Sequence, residues 1–254
     1  MLNFAIEAAR DAGHLLLEKF GRITTVTKKG DINLVTEADL ASEALIIERI
    51  RSHYPKHSIL AEESGEAVVI GGDTAWKWII DPLDGTTNYA HGYPCFAVTI
   101  ALEHDGDVVT GVTFDPTRNE LFAAEKGNGA TLNGKPIRVS PTENLGDSLI
   151  VTGFPYDFKS KDNFARHLTN FLLNSRGVRR DGSAAIDMAY VACGRFDGFW
   201  EEGLNAWDMA AGKLLIEEAG GWVTDYSGNA FSIYCPPVCA SNGKIHNEML
   251  AVLD

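Results

Sequence analysis

Apolar positions at Phe4, Ala8, Ala12, Leu15 and Leu16 recur at helical spacing through residues 3–20, and Gly21 follows as a stop, so the pattern predicts an amphipathic first helix. Thr36-Glu37-Ala38-Asp39 has the form of a capping box. Leu40, Ala44, Ile47 and Ile50 carry a second helix from there to Pro55, which puts Asp39 in its first turn. The period then changes. Residues 58–61 and 76–80 are short apolar runs bounded by turn residues, and each leads directly into acids, Glu62-Glu63 in one case and Asp81 in the other. Residues 96–102, 108–114 and 120–124, separated by good turn sequences, predict an antiparallel meander.

Beyond the meander the elements alternate. Strands are expected at 148–152, 177–179, 196–200, 222–225 and 238–240, and helices at 162–174, 183–193, 206–219 and 244–253. That succession predicts a mixed α/β fold of two fused halves, residues 1–145 and 146–254, sharing one core. No repeat, low-complexity stretch or long linker interrupts it.

Composition narrows the function classes. With 254 residues, 45% of them hydrophobic, the chain can bury a substantial core. It has no run of the roughly 20 apolar residues that a membrane span needs. Its first residues lack the basic-then-apolar order of a signal peptide, so the expected compartment is the cytoplasm. Cys95, Cys193, Cys235 and Cys239 make neither a disulfide framework nor a zinc site, and are expected to be reduced and mostly buried. The formal net charge of -13 would repel nucleic acid and anionic lipid. An anionic substrate would therefore need a local inversion of charge, for which bound divalent cations are the obvious means.

The segment Asp81-Pro82-Leu83-Asp84-Gly85-Thr86 supplies such a place. A hard dication, Mg²⁺ by default, takes oxygen ligands and keeps water and substrate phosphate in its shell, so a few converging carboxylates suffice. Pro82 fixes a backbone angle, and Gly85 permits a tight bend that turns Asp81, Asp84 and the Leu83 carbonyl toward one point. A helix starting near Thr86 would aim its N–H groups at the same point and could hold a phosphate oxygen. A D-P or D-G pair alone is usually an Asx turn, and a Glu-Glu pair usually a solvated loop. Here both follow apolar strands. Asp208, at the start of the helix Ala206-Trp207-Asp208-Met209-Ala210-Ala211-Gly212, adds a third acid on an element whose small residues allow close packing.

Asp81 through Tyr89, Trp207 through Gly212 with Glu218 to Gly221, and Glu62-Glu63-Ser64 upstream together resemble the signatures of the inositol monophosphatase family of lithium-sensitive, Mg²⁺-dependent sugar phosphatases. The resemblance runs from the first helix to the end of the chain. It implies an α/β/α/β sandwich, a homodimer, and hydrolysis of inositol monophosphate or a related phosphate. Two to three Mg²⁺ ions would be held, one by Glu62, Asp81 and the Leu83 carbonyl, a second by Asp81, Asp84 and Asp208, and a weaker third by Glu62. Gly85 and Thr86 would contact phosphate, with Asp84 at the substrate side. Asp39 would pair with the Thr86 hydroxyl to help activate the attacking water. Ala184, Glu201 and Asp208 would hold the polyol. The segment 179–185 with Tyr190 to Arg195 looks most like bacterial inositol monophosphatases.

A phosphate monoester resists attack because it is a dianion with a poor alkoxide leaving group, and bound metal ions relieve both difficulties without a phosphoenzyme. Fructose 1,6-bisphosphate, histidinol phosphate and nucleotide 3'-phosphates are the alternative substrates, because the rim is separate from the chemistry. Bacterial members of the family can also act as partners in transcription complexes, which leaves a binding role open beside catalysis. His91 and His104 are set aside as structural or surface residues. Trp76, Trp78, Trp200, Trp207 and Trp222 are expected in the core rather than as a platform for bases. Asp187 is expected to face its own helix or solvent.

Overall fold

The computed structural model describes residues 1–22, 26–29, 33–69, 71–154 and 162–254. Helix α1 (Leu2–Lys19) buries a face of small residues, Ala5, Ala8, Ala9, Ala12 and Gly13, with Leu16. The hairpin of β1 (Val26–Lys29) and β2 (Asn33–Thr36) leads into α2 (Glu37–His53), which Thr36 and Asp39 start with a reciprocal capping box, as the sequence predicts.

An eight-stranded sheet follows. Its members are β3 (His57–Ala61), β4 (Gly65–Ala67), β5 (Asp73–Asp84), β6 (Ala97–His104), β7 (Asp107–Asp115), β8 (Glu120–Glu125), β9 (Ala130–Leu132) and β10 (Lys135–Pro136), with the short helix α3 (Thr86–Ala90) after β5. The spatial order is β10-β9-β8-β7-β6-β5-β3-β4. β3 and β5 run parallel, and the expected meander β6-β7-β8 is antiparallel. β4, β9 and β10 were not expected from the sequence; they are two or three residues long, and pairing with a neighbour rather than any apolar alternation makes them strands.

The rest of the chain builds a smaller sheet from β11 (Leu149–Thr152), β12 (Gly177–Arg179), β13 (Gly198–Glu201), β14 (Trp222–Thr224) and β15 (Val238–Ser241), in the order β12-β11-β13-β15-β14. β11 is parallel to both β12 and β13. Helices α4 (Asp162–Asn174), α5 (Ala184–Ala192), α6 (Ala206–Glu218) and α7 (His246–Leu253) connect and flank these strands.

Three apolar clusters give the layering. One joins α1 and α2 to the large sheet through Ala12, Ile46, Trp78, Ile80 and Phe114. The next lies between the two sheets and contains α5 and α6, where Ile79 and Phe122 of the first half meet Met188, Leu215 and Phe199 of the second. The third packs Phe164 and Phe171 of α4 and Met249 and Leu253 of α7 on the outer face of the small sheet at Ile150 and Trp200. The expected α/β/α/β layers are present, and α4 with α7 adds a fifth. A fully buried large side chain contributes roughly 2 kcal/mol, against under about 1 kcal/mol for an exposed ion pair. The middle cluster draws its side chains from both sheets and from the two helices between them.

Some burial expectations need correction. Trp78 and Trp200 are core residues, but Trp222 is 55% exposed, because it lies on the edge strand β14. The four cysteines are free thiols, of which Cys95 and Cys239 are buried, Cys193 is half-buried and Cys235 is exposed. Among the described residues, no helix is long and apolar enough to cross a membrane.

Candidate active site

The end of β5 explains why two of its acids meet. Pairing with β6 runs in step to Asp81↔Thr99 and then resumes at Asp84↔Ala97, three steps along β5 against two along β6. Side chains alternate faces along a strand, so residues three apart would point to opposite sides of the sheet. The bulge inserts one residue and restores the parity. Asp81 and Asp84 then share a side. The sequence suggested a strand ending at Ile80 and an acidic turn; instead the strand continues through the acids, and Pro82 sits within the bulge, where a missing N–H does little harm. Ser42 Oγ of α2 donates to the Pro82 carbonyl at 2.8 Å, and Leu83 N–H donates to Asp81 Oδ1 at 3.0 Å.

Glu62 arrives from the neighbouring parallel strand. Ala61 is level with Ile80, Glu62 N–H donates to the Ile80 carbonyl at 3.3 Å, and its carboxyl group is hydrogen-bonded to that of Asp81. Asp208 comes from the other half as the third residue of α6, where its Oδ2 accepts from Asn205 N–H at 2.6 Å. Small residues set the approach of that helix: a Cβ on Gly111 of β7 would lie 3.0 Å from the Ala211 backbone, and one on Gly212 would meet Met188 at 2.6 Å. One oxygen from each of Asp81, Asp84 and Asp208 lies within 4.8 Å of the others.

Asp84 is also the point where α5 docks. Ser183 Oγ donates to Asp84 Oδ2 while capping Ile186 N–H, and Ala185 N–H donates to the same oxygen at 2.8 Å. Behind it, Asn88 Nδ2 donates to the carbonyls of Cys95 at 2.8 Å and Asp181 at 2.9 Å, tying α3 to the loop before α5. Gly85 caps α3 at φ 94°, and a Cβ there would stand 2.9 Å from the Cys95 carbonyl, so both the conformation and the space call for glycine.

Asp39 stands on the far side of this turn. Its Oδ2 accepts from Thr36 N–H at 2.8 Å and Thr36 Oγ1 at 2.5 Å, and its Oδ1 accepts from Thr86 Oγ1 at 3.2 Å. Thr86 Oγ1 also lies 3.1 Å from the Leu83 carbonyl. A hydroxyl has one proton, so these two acceptors compete for it.

Burial governs the electrostatics. It raises Glu62 to about 8, helped by the charge of Asp208, and raises Asp81 well above the usual carboxylate range, helped by Glu62 and Asp84. Burial also lifts Asp84 to about 6 against the Ser183 and Ala185 donors, and burial lifts Asp208 to about 7, helped by Asp84. Asp39 is raised by burial against its threonine donors. Among the described residues, no lysine, arginine or histidine forms an ion pair with Asp81, Asp84 or Asp208. Crowded carboxylates without a basic partner, offering only hard oxygen atoms, fit a dication and offer nothing to a softer, thiolate-seeking metal.

Ala184 and Glu201 flank the acids, at the N-terminus of α5 and the C-terminus of β13, and are 8% and 7% exposed. Burial raises Glu201 to about 8, and the charges of Asp208 and Asp84 add to it. The sequence-predicted residues are thus linked one to another: Glu62, Asp84 and Asp208 bear on Asp81, Asp39 accepts from Thr86, and the charges of Asp208 and Asp84 act on Glu201. Asp187 needs correction. It is 1% exposed, neither oxygen has a hydrogen-bond partner among the described residues, and burial raises it well above the usual range. His91 is exposed, and the His104 ring stacks on Trp76 with centroids 3.9 Å apart. Sequence reading missed the parts played by Ser42, Asn88 and Ser183. Only Ser183 carried a signal, an N-cap serine before an apolar helix, and that signal speaks of capping rather than of Asp84.

Comparison with known proteins shows what the whole chain is similar to. The sequence profile of the inositol monophosphatase family matches residues 1–253. An inositol-1-monophosphatase of Synechocystis is 46% identical over 260 residues, covering 99% of this chain and 88% of that protein. The Nus factor SuhB of Escherichia coli is 45% identical over 254 residues, covering 99% and 94%. Among solved structures, inositol monophosphatase from Anabaena (Nostoc) superimposes with a TM-score of 0.89 at 47% identity, covering 99% of this chain and 94% of that one. The structure of SaIMPase-II with inositol monophosphate bound gives 0.82 at 27% identity, covering 98% and 91%.

Proposed function

The chain belongs to the inositol monophosphatase family, and from that premise we propose that it hydrolyses inositol monophosphate to inositol and phosphate. Membership makes it a metal-dependent phosphatase; the substrate, the ion and the residue roles are the substance of the proposal. The observation that carries it is the convergence of Asp81, Asp84 and Asp208 from both halves beside Glu201 and Ala184.

Glu62, Asp81 and the Leu83 carbonyl would hold one Mg²⁺, Asp81, Asp84 and Asp208 a second, and Glu62 a weaker third. Ions held there would neutralise the phosphate dianion, acidify a water and stabilise the departing alkoxide. The chain's own groups supply position. By giving its proton to Asp39 rather than to the Leu83 carbonyl, Thr86 would keep its oxygen free to accept from the attacking water and line it up opposite the leaving oxygen. Asp39, fixed by both donors of Thr36, takes up that hydrogen bond without moving. Backbone N–H groups at Gly85 and Thr86 hold a phosphate oxygen at the start of α3. On the alcohol side, Glu201 and Asp208 accept from ring hydroxyls, and the single methyl of Ala184 leaves room for a six-membered ring. SaIMPase-II, whose structure holds inositol monophosphate, supports this choice of alcohol.

A phosphate-release panel with Mg²⁺ tests the reading. Inositol 1-phosphate should show the highest kcat/KM, ahead of fructose 1,6-bisphosphate, histidinol phosphate and nucleotide 3'-phosphates. A preference for a nucleotide of more than about tenfold rejects it. Lithium sensitivity and a homodimer belong to the same reading and rest on family resemblance. One relative, named Nus factor SuhB, favours a second role in transcription beside catalysis. Co-purification of elongation factors with the chain, surviving a catalytic-site substitution, would support that role.

A further inference from the structure

Glu201 reaches the cleft only because the residue beside it has no side chain. β11 and β13 are parallel, with Thr152 level with Trp200, and Thr152 Oγ1 locks that register by donating to the Trp200 carbonyl at 2.6 Å. The next residue on each strand is therefore Gly153 beside Glu201, at the carboxyl ends of both strands. Gly153 is buried, and its N–H donates to the Glu201 carboxylate. A Cβ built on Gly153 would overlap Cδ, Oε1 and Oε2 of Glu201. The carboxyl group lies flat against the Gly153 Cα.

We infer that Gly153 is a specificity-determining positioning residue, whose missing side chain forms the seat that holds the Glu201 carboxylate toward the polyol. This rests on the reading of Glu201 as a polyol ligand. The backbone of Gly153 is not in the left-handed region, so alanine would fold there without strain and the whole effect of a methyl group falls on what it displaces. What it displaces is the far end of a flexible side chain, which moves at small cost to stability. Moving a hydrogen-bonding carboxylate by about an ångström breaks its geometry to a hydroxyl. The change therefore appears in recognition, before it appears in folding.

Phe154, the next residue, keeps the seat in place. Phe154 packs edge-on against Phe164 of α4, with centroids 5.5 Å apart, and the Arg180 guanidinium lies 4.9 Å from the Phe154 ring centroid. Phe154 is thus held by α4 and by Arg180 of the loop before α5, and Gly153 cannot simply swing away to make room for a methyl group.

The test uses the full chain with Mg²⁺, inositol 1-phosphate and p-nitrophenyl phosphate, which has no polyol. Gly153→Ala should raise KM for inositol 1-phosphate about tenfold while kcat changes less than about threefold. The ratio of kcat/KM between the two substrates should fall by the same factor, about tenfold. Glu201→Asp, one methylene shorter, should restore most of that ratio when combined with Gly153→Ala. A Gly153→Ala enzyme with KM unchanged, a parallel loss on both substrates, or no rescue in the double variant overturns the inference. Glu201→Ala separates the two layers: an unchanged KM there sinks the polyol reading itself, whereas a raised KM with a normal Gly153→Ala enzyme sinks only the seat.

Discussion

Asp81 is 1% exposed and crowded by Glu62, Asp84 and Asp208. Asparagine at this position keeps the shape and removes the charge. Asp81→Asn should lower kcat at least about a thousandfold, the several kcal/mol that a lost metal ligand takes from the transition state. Far-UV circular dichroism should not change, and without added metal the variant should melt no lower than the parent, because a repulsion has been removed. Retention of more than about a tenth of the activity would sink the two-ion assignment. At this scale much was legible in the chain: Glu62, Asp81, Asp84 and Asp208 each follow an apolar run or open a helix of small residues. Asp187 was misread for a physical reason. All nine residues of α5 are buried, so a helix apolar on every side has no solvent face for a carboxylate to occupy.

Between residue and fold, the decisive element is the bulged end of β5, because a regular strand would separate Asp81 from Asp84. Next to it stands the N-terminus of α5, where Ser183 serves both its helix and Asp84. Ser183→Ala removes a cap and a donor to a buried carboxylate together, and should cost about 2 kcal/mol in urea denaturation. The Mg²⁺ concentration for half-maximal activity should rise several-fold, since Asp84 loses its orientation. Unchanged stability and Mg²⁺ activation in this variant would mean that α5 does not position Asp84. The bulge was not visible in the sequence. Pro82 marked an interruption, but whether the chain turned there or continued through a two-against-three mismatch depended on β6, its partner across the sheet.

Across the whole molecule the acids come from both halves, Asp81 and Asp84 from β5, Glu62 from the turn just past β3 and Asp208 from α6. A dication bound among them would link the halves and stabilise the native state over the unfolded one. At a hundred times its dissociation constant Mg²⁺ should add about 2.7 kcal/mol, which for a chain of this size raises Tm by roughly 5–10 °C. Differential scanning in Mg²⁺ and then in EDTA checks this, with Asp208→Asn as the control that loses most of the increment. Equal melting temperatures in both buffers would show that no ion is held between the halves. The surplus of acids works in the same direction, because a chain of net charge -13 gains from any bound cation.

Local order in the chain determined the class of fold, most element positions and the hard-oxygen chemistry of the site, because helical and strand periods and an acidic signature are written in consecutive residues. The tertiary structure alone decided the rest. Asp81 and Asp84 share a face through the register of β5 on β6, Asp208 meets them through the close approach of α6, Asp187 is buried by α5, and Gly153 lies under Glu201 through the pairing of β11 with β13. Each of these depends on distances between residues far apart in the chain, and a spacing rule along one chain contains no information about which strand will lie alongside another.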